Sequence, residues 1–374
     1  MIKRLFSTII LSVIAFVAVN AQGVCVINGH IADNRAGDGK KVKKVFLTGT
    51  DELGQHVTVA EAKVKKGSYT FKYELAQDEP VLLYTVTGFG DGMGIELFVE
   101  PGEVSVKTPS AAQPCDSEVS GTPANDAYTE FKAIVTGGCA EDKVAVGKIE
   151  SKEGIRILSQ AIRFLIDNNA SPMMPFAVER YLLHLLTPAY AEQMLNAVAS
   201  SLYDHPYYHS LRNRVLADNL KVGNEAPDIK LPMLGGETKR LSDFRGRYVV
   251  LNFWSRGCEK SAGMLAGLEN LYEVVKDNSS EFIIISVAID SDKAAWEKEV
   301  ESRGLCREAW LHACEGVGAA SLAADLFGVD NTPRMILIEP EGRAVSLDME
   351  TDEVVMRVEQ ILMGDLYYLD QIEE

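Results

Sequence analysis

The chain has 374 residues, enough for two or three domains, and an apolar fraction of 47% that fits globular folding. Its formal net charge of -17 argues against nucleic acid and anionic membrane surfaces as partners. Six cysteines in a chain this long do not make a disulfide scaffold, and most of them read as small buried residues.

Residues 1–21 have the three parts of an export signal. Lys3 and Arg4 form the basic start, Ile9 to Val19 the apolar middle, and Val19-Asn20-Ala21 a small-residue cleavage site before Gln22. The apolar run is short for a bilayer span. Cys25 follows Val24, where a lipoprotein signal would place a small residue. The expectation is a protein exported to the periplasm or cell envelope, with no stable membrane span after cleavage. Export makes disulfides possible.

From Val24 to about Ser120 short alternating runs recur: Val24–Ile31, Val42–Leu47, His56–Val64, Ser68–Tyr73, Val81–Val86, Ile95–Val99 and Val104–Thr108. Turn residues such as Lys66-Gly67 and Pro101-Gly102 separate them, which predicts an antiparallel β-sandwich over residues 22–122. The glycine-rich stretch from Gly88 to Gly94 has no helix after it and reads as a hairpin loop, not a dinucleotide turn. The segments Asn28-Gly29-His30-Ile31, Lys44-Val45-Phe46-Leu47, Gly67-Ser68-Tyr69-Thr70-Phe71 and Leu97-Phe98-Val99-Glu100-Pro101-Gly102 carry a resemblance. They resemble the N-terminal β domain of unknown function that precedes envelope thioredoxin domains in Bacteroidetes-type proteins.

Residues 123–220 change to a helical period. Ile155, Leu158, Ile162, Leu165 and Ile166 form one stripe, and Val178, Tyr181, Leu182, Leu185 and Leu186 another. Ala191–Leu202 and Leu211–Leu220 form two more, punctuated by Pro188 and Pro206. This predicts a helical connector with core-facing stripes. His205 and His209 are four apart, but Pro206 interrupts the helix that would align them, so no metal site is expected.

The last segment, 221–374, opens with Lys221-Val222-Gly223-Asn224-Glu225-Ala226-Pro227-Asp228. The apolar run from Tyr248 ends in Phe253-Trp254, a polar turn follows, and then comes Cys258. Met264, Leu268, Leu271, Tyr272 and Val275 lie on one face of a helix beginning at Glu259. Cys258 is thus expected at a helix N-terminus, where unpaired N–H groups and the dipole favour a thiolate. Further on, Phe282–Ile289 reads as a buried strand and Trp296 as part of a helix. Arg334–Ile338 and Arg343–Leu347 read as a hairpin, and Asp352–Met363 as a closing helix.

Phe253-Trp254-Ser255-Arg256-Gly257-Cys258-Glu259-Lys260-Ser261 resembles the active-site segment of envelope thioredoxin-like thiol-disulfide oxidoreductases, which are AhpC/TSA-like. That family reads Phe-Trp-Ala-x-Trp-Cys-x-x-Cys. Here Gly257 replaces the second tryptophan and Ser261 the second cysteine. The resemblance covers about residues 221–364. It implies Cys258 as nucleophile, with Ser261 in the resolving position. It also implies substrate contacts at Trp254, Thr332 and a cis Pro333, and it puts Asn252 where many members have a buried acid. A dithiol enzyme releases its substrate when its second thiol attacks the mixed disulfide, which Ser261 cannot do. Cys314, expected in a glycine-containing loop, could resolve the disulfide. A Cys306–Cys314 bridge or two buried thiols is the blander option, and a Cys115–Cys139 bridge is weaker still.

The fold expected is multidomain α+β: signal peptide, β-sandwich, helical connector and an α/β thioredoxin-like fold. The function implied is that of an exported oxidoreductase with a degenerate Cys-x-x-Ser site that forms mixed disulfides through Cys258. Its partners would be cysteine-containing exported proteins or small thiols and disulfides, and no cofactor is expected. A non-catalytic binding module of the cell envelope is the alternative. A thiol peroxidase ranks last, because Leu251 stands where its Pro-x-x-x-Thr/Ser-x-x-Cys segment has proline.

Overall fold

Alternating burial builds the first part of the chain: in β1 (Gly23–Asp33), Cys25, Ile27, Gly29 and Ile31 face inward while Asn28 and His30 are exposed. The computed structural model describes residues 23–50, 56–90, 94–136 and 152–365. The expected signal peptide, its expected cleavage site and Cys139 lie outside the described residues. The chain divides into two units, Met1–Leu182 with Val198–Pro206, and Leu183–Ala197 with Tyr207–Glu374. The helical stretch is therefore shared between them.

In the first unit β1 is followed by β2 (Lys44–Thr50), β3 (His56–Lys63), β4 (Ser68–Leu75), β5 (Leu82–Thr87), β6 (Ile95–Val99), β7 (Gly102–Ser110) and β8 (Glu118–Ser120). They form two four-stranded sheets, β4-β1-β7-β8 and β3-β2-β5-β6. One buried cluster draws on both, with Ile27, Phe71 and Val104 from the first sheet and Val45, Val86 and Leu97 from the second. The expectation of an antiparallel domain is corrected at one pair: β1 and β7 run parallel, with Ile27 opposite Val104. A parallel pair needs a long crossover, and the strands of the second sheet supply it. Helices α1 (Pro123–Thr136), α2 (Lys152–Asp167) and α3 (Met173–Ala177) follow. The expected stripe from Val178 is not one α-helix but a π turn over Val178–Leu182 and a short 3-10 turn over Leu183–Leu185.

The second unit begins with α4 (Pro188–Ala197) and α5 (Pro206–Asp218). Pro188 and Pro206 each occupy the first position of their helix, where the missing N–H costs nothing. Then come β9 (Lys230–Pro232), β10 (Thr238–Arg240), β11 (Tyr248–Trp254), α6 (Glu259–Val275), β12 (Phe282–Ala288) and α7 (Lys293–Ser302). After them come β13 (Trp310–Cys314), α8 (Leu322–Leu326), β14 (Arg334–Ile338), β15 (Ala344–Ser346) and α9 (Thr351–Leu362). Five strands form one sheet in the order β13-β12-β11-β14-β15. β11, β12 and β13 are mutually parallel and β14 is antiparallel. Alternate residues of β11 feed two clusters: Val250 and Trp254 pack with Leu268, Trp296 and Val358, while Val249, Leu251 and Phe253 pack with Ile285 and Phe327. Burial on both faces is why β11 and β12 read as unbroken apolar runs. Among the described residues no helix is long and apolar enough to cross a membrane.

Candidate active site

β11 delivers the chain to the C-terminal edge of the sheet, and Ser255-Arg256-Gly257 turns it into α6. Cys258 is the N-cap of α6, with extended backbone (φ -102°, ψ 115°), and its carbonyl accepts from the Ala262 N–H at 3.3 Å. The thiol is part-exposed, and Sγ donates to the carbonyl of Thr332 at 3.2 Å. The Thr332–Pro333 bond is cis, as the resemblance implied. The Ser255 and Thr332 hydroxyls are 2.9 Å apart, joining the turn before Cys258 to the loop before β14.

Ser261 lies one turn into α6 and is fully buried, and its Oγ accepts from the Ser255 N–H at 3.3 Å. The Ser261 hydroxyl, followed by the Ser261 N–H, holds the Cys258 thiol below its ordinary pKa; Thr332 and the Lys260 N–H add smaller contributions, and burial opposes them. An N-terminal N–H and a hydroxyl both stabilise the anionic sulfur more than the neutral one. Glu259, whose charge opposes the thiolate, is exposed to solvent. Arg256 is fixed by Asp290, the residue two past β12: the backbone N–H donates to Oδ2 at 3.2 Å and Nε to Oδ1 at 3.4 Å. No local pattern joins Arg256 to Asp290, 34 residues further on. The apolar run of β12 ending in an acid was the available signal for their contact.

Cys258, Ser261, Thr332 and Pro333 are thus brought together. Trp254 is not among them: it is 1% exposed and packed in the core, so the substrate contact expected of it finds no surface to act through. A seven-residue strand buried on both faces takes its last aromatic inward. Asn252 is also fully buried, and its Oδ1 accepts from Ser286 Oγ at 2.7 Å. Ser286 Oγ in turn accepts from Trp310 Nε1 at 2.8 Å. Asn252 therefore links three strands of the sheet.

Cys25, Cys258, Cys306 and Cys314 are free thiols. The loop position expected for Cys314 is corrected: it is the last residue of β13, fully buried, and Sγ donates to the Asp290 carbonyl at 3.6 Å. Burial pushes its pKa up, the opposite of what a resolving thiol needs. Cys306 is exposed. Neither is in a disulfide, so the expected Cys306–Cys314 bridge is not formed.

Residues 222–342 match the AhpC/TSA family, and residues 25–128 match a domain of unknown function (DUF4369). The thiol-disulfide oxidoreductase ResA of Geobacillus kaustophilus is 38% identical over 84 residues, which are 22% of this chain and 47% of that protein. ResA of Bacillus subtilis is 28% identical over 141 residues, 37% of this chain and 74% of that protein. The chain thus spans about half the length of the first of these relatives. A solved thiol-disulfide oxidoreductase from Bacteroides fragilis is 28% identical, with a TM-score of 0.34 over 37% of this chain and 99% of that one. The AhpC/TSA match over residues 222–342 and the distinct match before it support a thioredoxin-like protein with a separate N-terminal domain.

Proposed function

We propose that the protein is an exported thiol-disulfide oxidoreductase that works through one thiol, Cys258. The observation that carries this reading is the contact of a part-exposed, acidified Cys258 with the Thr332 carbonyl before cis-Pro333. The thiolate attacks one sulfur of a substrate disulfide. The substrate S–S bond breaks, a bond from Cys258 Sγ to the substrate forms, and the other substrate sulfur leaves as thiolate. A second, external thiolate then attacks this mixed disulfide and releases Cys258. Ser261 lowers the pKa of the Cys258 thiol but has no sulfur to resolve the adduct. Thr332 offers its backbone to an extended substrate beside the thiol. The substrates are cysteine-containing exported proteins or small disulfides, and residues 1–21 direct export. The domains in this reading are a β domain over 22–122, a connector over 123–220 and the redox domain from 221.

The test compares native, Ser261→Cys and Cys258→Ser proteins in insulin-disulfide reduction, with adducts mapped by mass spectrometry. Native protein should turn over weakly and accumulate adducts on Cys258. Ser261→Cys should turn over faster, because an intramolecular thiol has a high effective concentration. Cys258→Ser should do neither. The second reading is a binding module, favoured by the absence of a second thiol. It stands if no variant forms an adduct while native protein retains a partner.

A further inference from the structure

Beside the thiol site, the second unit holds a cavity of about 710 Å³, in the range of about 300–1,000 Å³ usual for ligand pockets. Thr332 and Pro333 line it, and Thr332 is the residue whose carbonyl accepts from Cys258 Sγ. The cavity is therefore continuous with the thiol site. Another wall is one face of α6, with Lys260, Gly263, Met264 and Gly267 on successive turns. At about 1.5 Å of rise per residue, the two glycines stand about 7 to 14 Å beyond Cys258 along the helix. An extended peptide leaving Cys258 covers that distance in about two to four residues.

Glycine is a poor residue for a helix interior, so each of these two needs a reason. For Gly267 the reason is packing: a Cβ there would lie 2.4 Å from Thr351 Cγ2. Gly263 has no such neighbour, since a Cβ built on it would meet nothing within 4 Å. Its effect is to leave the cavity wall open, because any side chain at 263 would project into that space. The floor is apolar. Met264 and Met335 are buried and Met349 is half-buried, and methionine side chains adapt to irregular shapes. The charged lining is Lys260, Arg334, Asp348, Glu350 and Asp352. Arg334 Nε is 2.8 Å from Asp348 Oδ1, so those two compensate each other. Thr351 packs on Gly267, which puts Glu350 and Asp352 at the end far from Cys258. Glu350 is engaged in capping α9, whereas Asp352 is exposed.

We infer that this cavity selects the substrates of the thiol reaction proposed above, on which this inference rests. It takes extended cysteine peptides with a large apolar side chain about two to four residues from the cysteine and a basic residue beyond it. The apolar side chain passes Gly263 onto the methionines, and the basic group meets Asp352. An acidic residue in that place would face like charge.

The experiment uses the full chain and mixed disulfides of thionitrobenzoate with alanine-based peptides that carry a central cysteine. Within the stated reach on either side stand leucine or alanine, with lysine or glutamate at the ends. The Cys258 thiolate attacks the peptide sulfur, the bond from that sulfur to thionitrobenzoate breaks, a Cys258–peptide disulfide forms, and thionitrobenzoate leaves as a coloured thiolate. Cys258→Ser is the blank for other thiols. Each peptide rate, taken at subsaturating peptide, is divided by the rate with the 2-mercaptoethanol mixed disulfide on the same variant, so an effect on the thiol itself drops out. Leucine should outpace alanine by about five- to thirtyfold, the worth of partly burying its extra carbons. Lysine ends should outpace glutamate ends by about two- to tenfold at low salt, and by less at high salt. Gly263→Leu, which installs a better helix former, should fill the opening and bring the leucine-to-alanine ratio to about one. Asp352→Asn should cut the lysine-to-glutamate ratio by about twofold, and it tests the inference even if Gly263→Leu fails to melt cooperatively. The inference is overturned if leucine and alanine peptides react alike, if glutamate ends match lysine ends, or if Gly263→Leu keeps the native ratio. Reaction with the 2-mercaptoethanol disulfide but no peptide preference overturns this inference alone, whereas no reaction with either overturns the redox reading as well.

Discussion

At the scale of single residues, Ser261 is the group that matters most to Cys258. Its hydroxyl and N–H are the two largest influences lowering the thiol pKa. A lowered pKa means that the reactive thiolate is already formed at pH values where an ordinary cysteine is protonated. The rate of iodoacetamide alkylation of Cys258 should therefore rise and level off below the usual cysteine range. Ser261→Ala removes the hydroxyl and keeps the N–H, so the midpoint should move up by a fraction of the full effect without reaching that of a free thiol. The readout is the pH profile of alkylation, followed by mass spectrometry. An unchanged midpoint would mean that the helix N-terminus alone sets the acidity. Serine at this position thus supports the thiolate while being unable to resolve the adduct.

At the scale of elements, the site depends on how closely α6 meets α9. Gly267 in α6 faces Thr351, the first residue of α9: a Cβ built on Gly267 would lie 2.4 Å from Thr351 Cγ2 and 2.9 Å from its Cβ. Alanine is favoured over glycine in a helix by about 1 kcal/mol. Overpacking against a stiff β-branched side chain costs about 1–3 kcal/mol, and contact this short belongs at the upper end. The clash should win, and Gly267→Ala should destabilise the protein by a net amount of about 1–2 kcal/mol in urea denaturation. Adding Thr351→Ala removes Cγ2 and should recover part of the loss, which separates the clash from a general effect on α6. The sequence showed the helical stripes of α6 and α9. It gave no sign that a glycine lets them approach, because the partner residue is far along the chain.

At the scale of the whole molecule, acid stability has an identifiable contributor in His312 on β13. The ring is 3% exposed, Nε2 is 3.0 Å from the Leu305 carbonyl, and Nδ1 is buried with no hydrogen-bond partner. Burial pushes its pKa from 6.5 down to about 4. The folded protein holds this histidine neutral, whereas the unfolded chain takes up a proton below about pH 6.5. Between those two values the unfolded state binds more protons, so stability falls as pH falls, by about 3 kcal/mol at most for this group. His312→Gln retains a donor for Leu305 and cannot titrate. Denaturant titrations at pH 7, 5.5 and 4 should show a shallower loss in the variant than in native protein. Equal slopes would assign the acid sensitivity to the carboxylates instead.

The sequence by itself determined what is local and periodic. Alternation in β1 to β7, the doubly buried run of β11 and the stripe of α6 follow from side-chain spacing. Cys258 at the start of α6 follows from the order strand, turn, helix, and its neighbour Ser261 is three residues on in the same motif. The link to Thr332 and cis-Pro333 came from family resemblance, since no local signal joins positions 258 and 332. Only the tertiary structure decided the contacts between distant segments: the parallel pairing of β1 with β7, the Arg256–Asp290 pair, the inward Trp254, and Cys314 at a strand end. The physical reason is that periodicity says which face a residue takes, whereas register and packing say what that face meets, and these are fixed by the whole buried core at once.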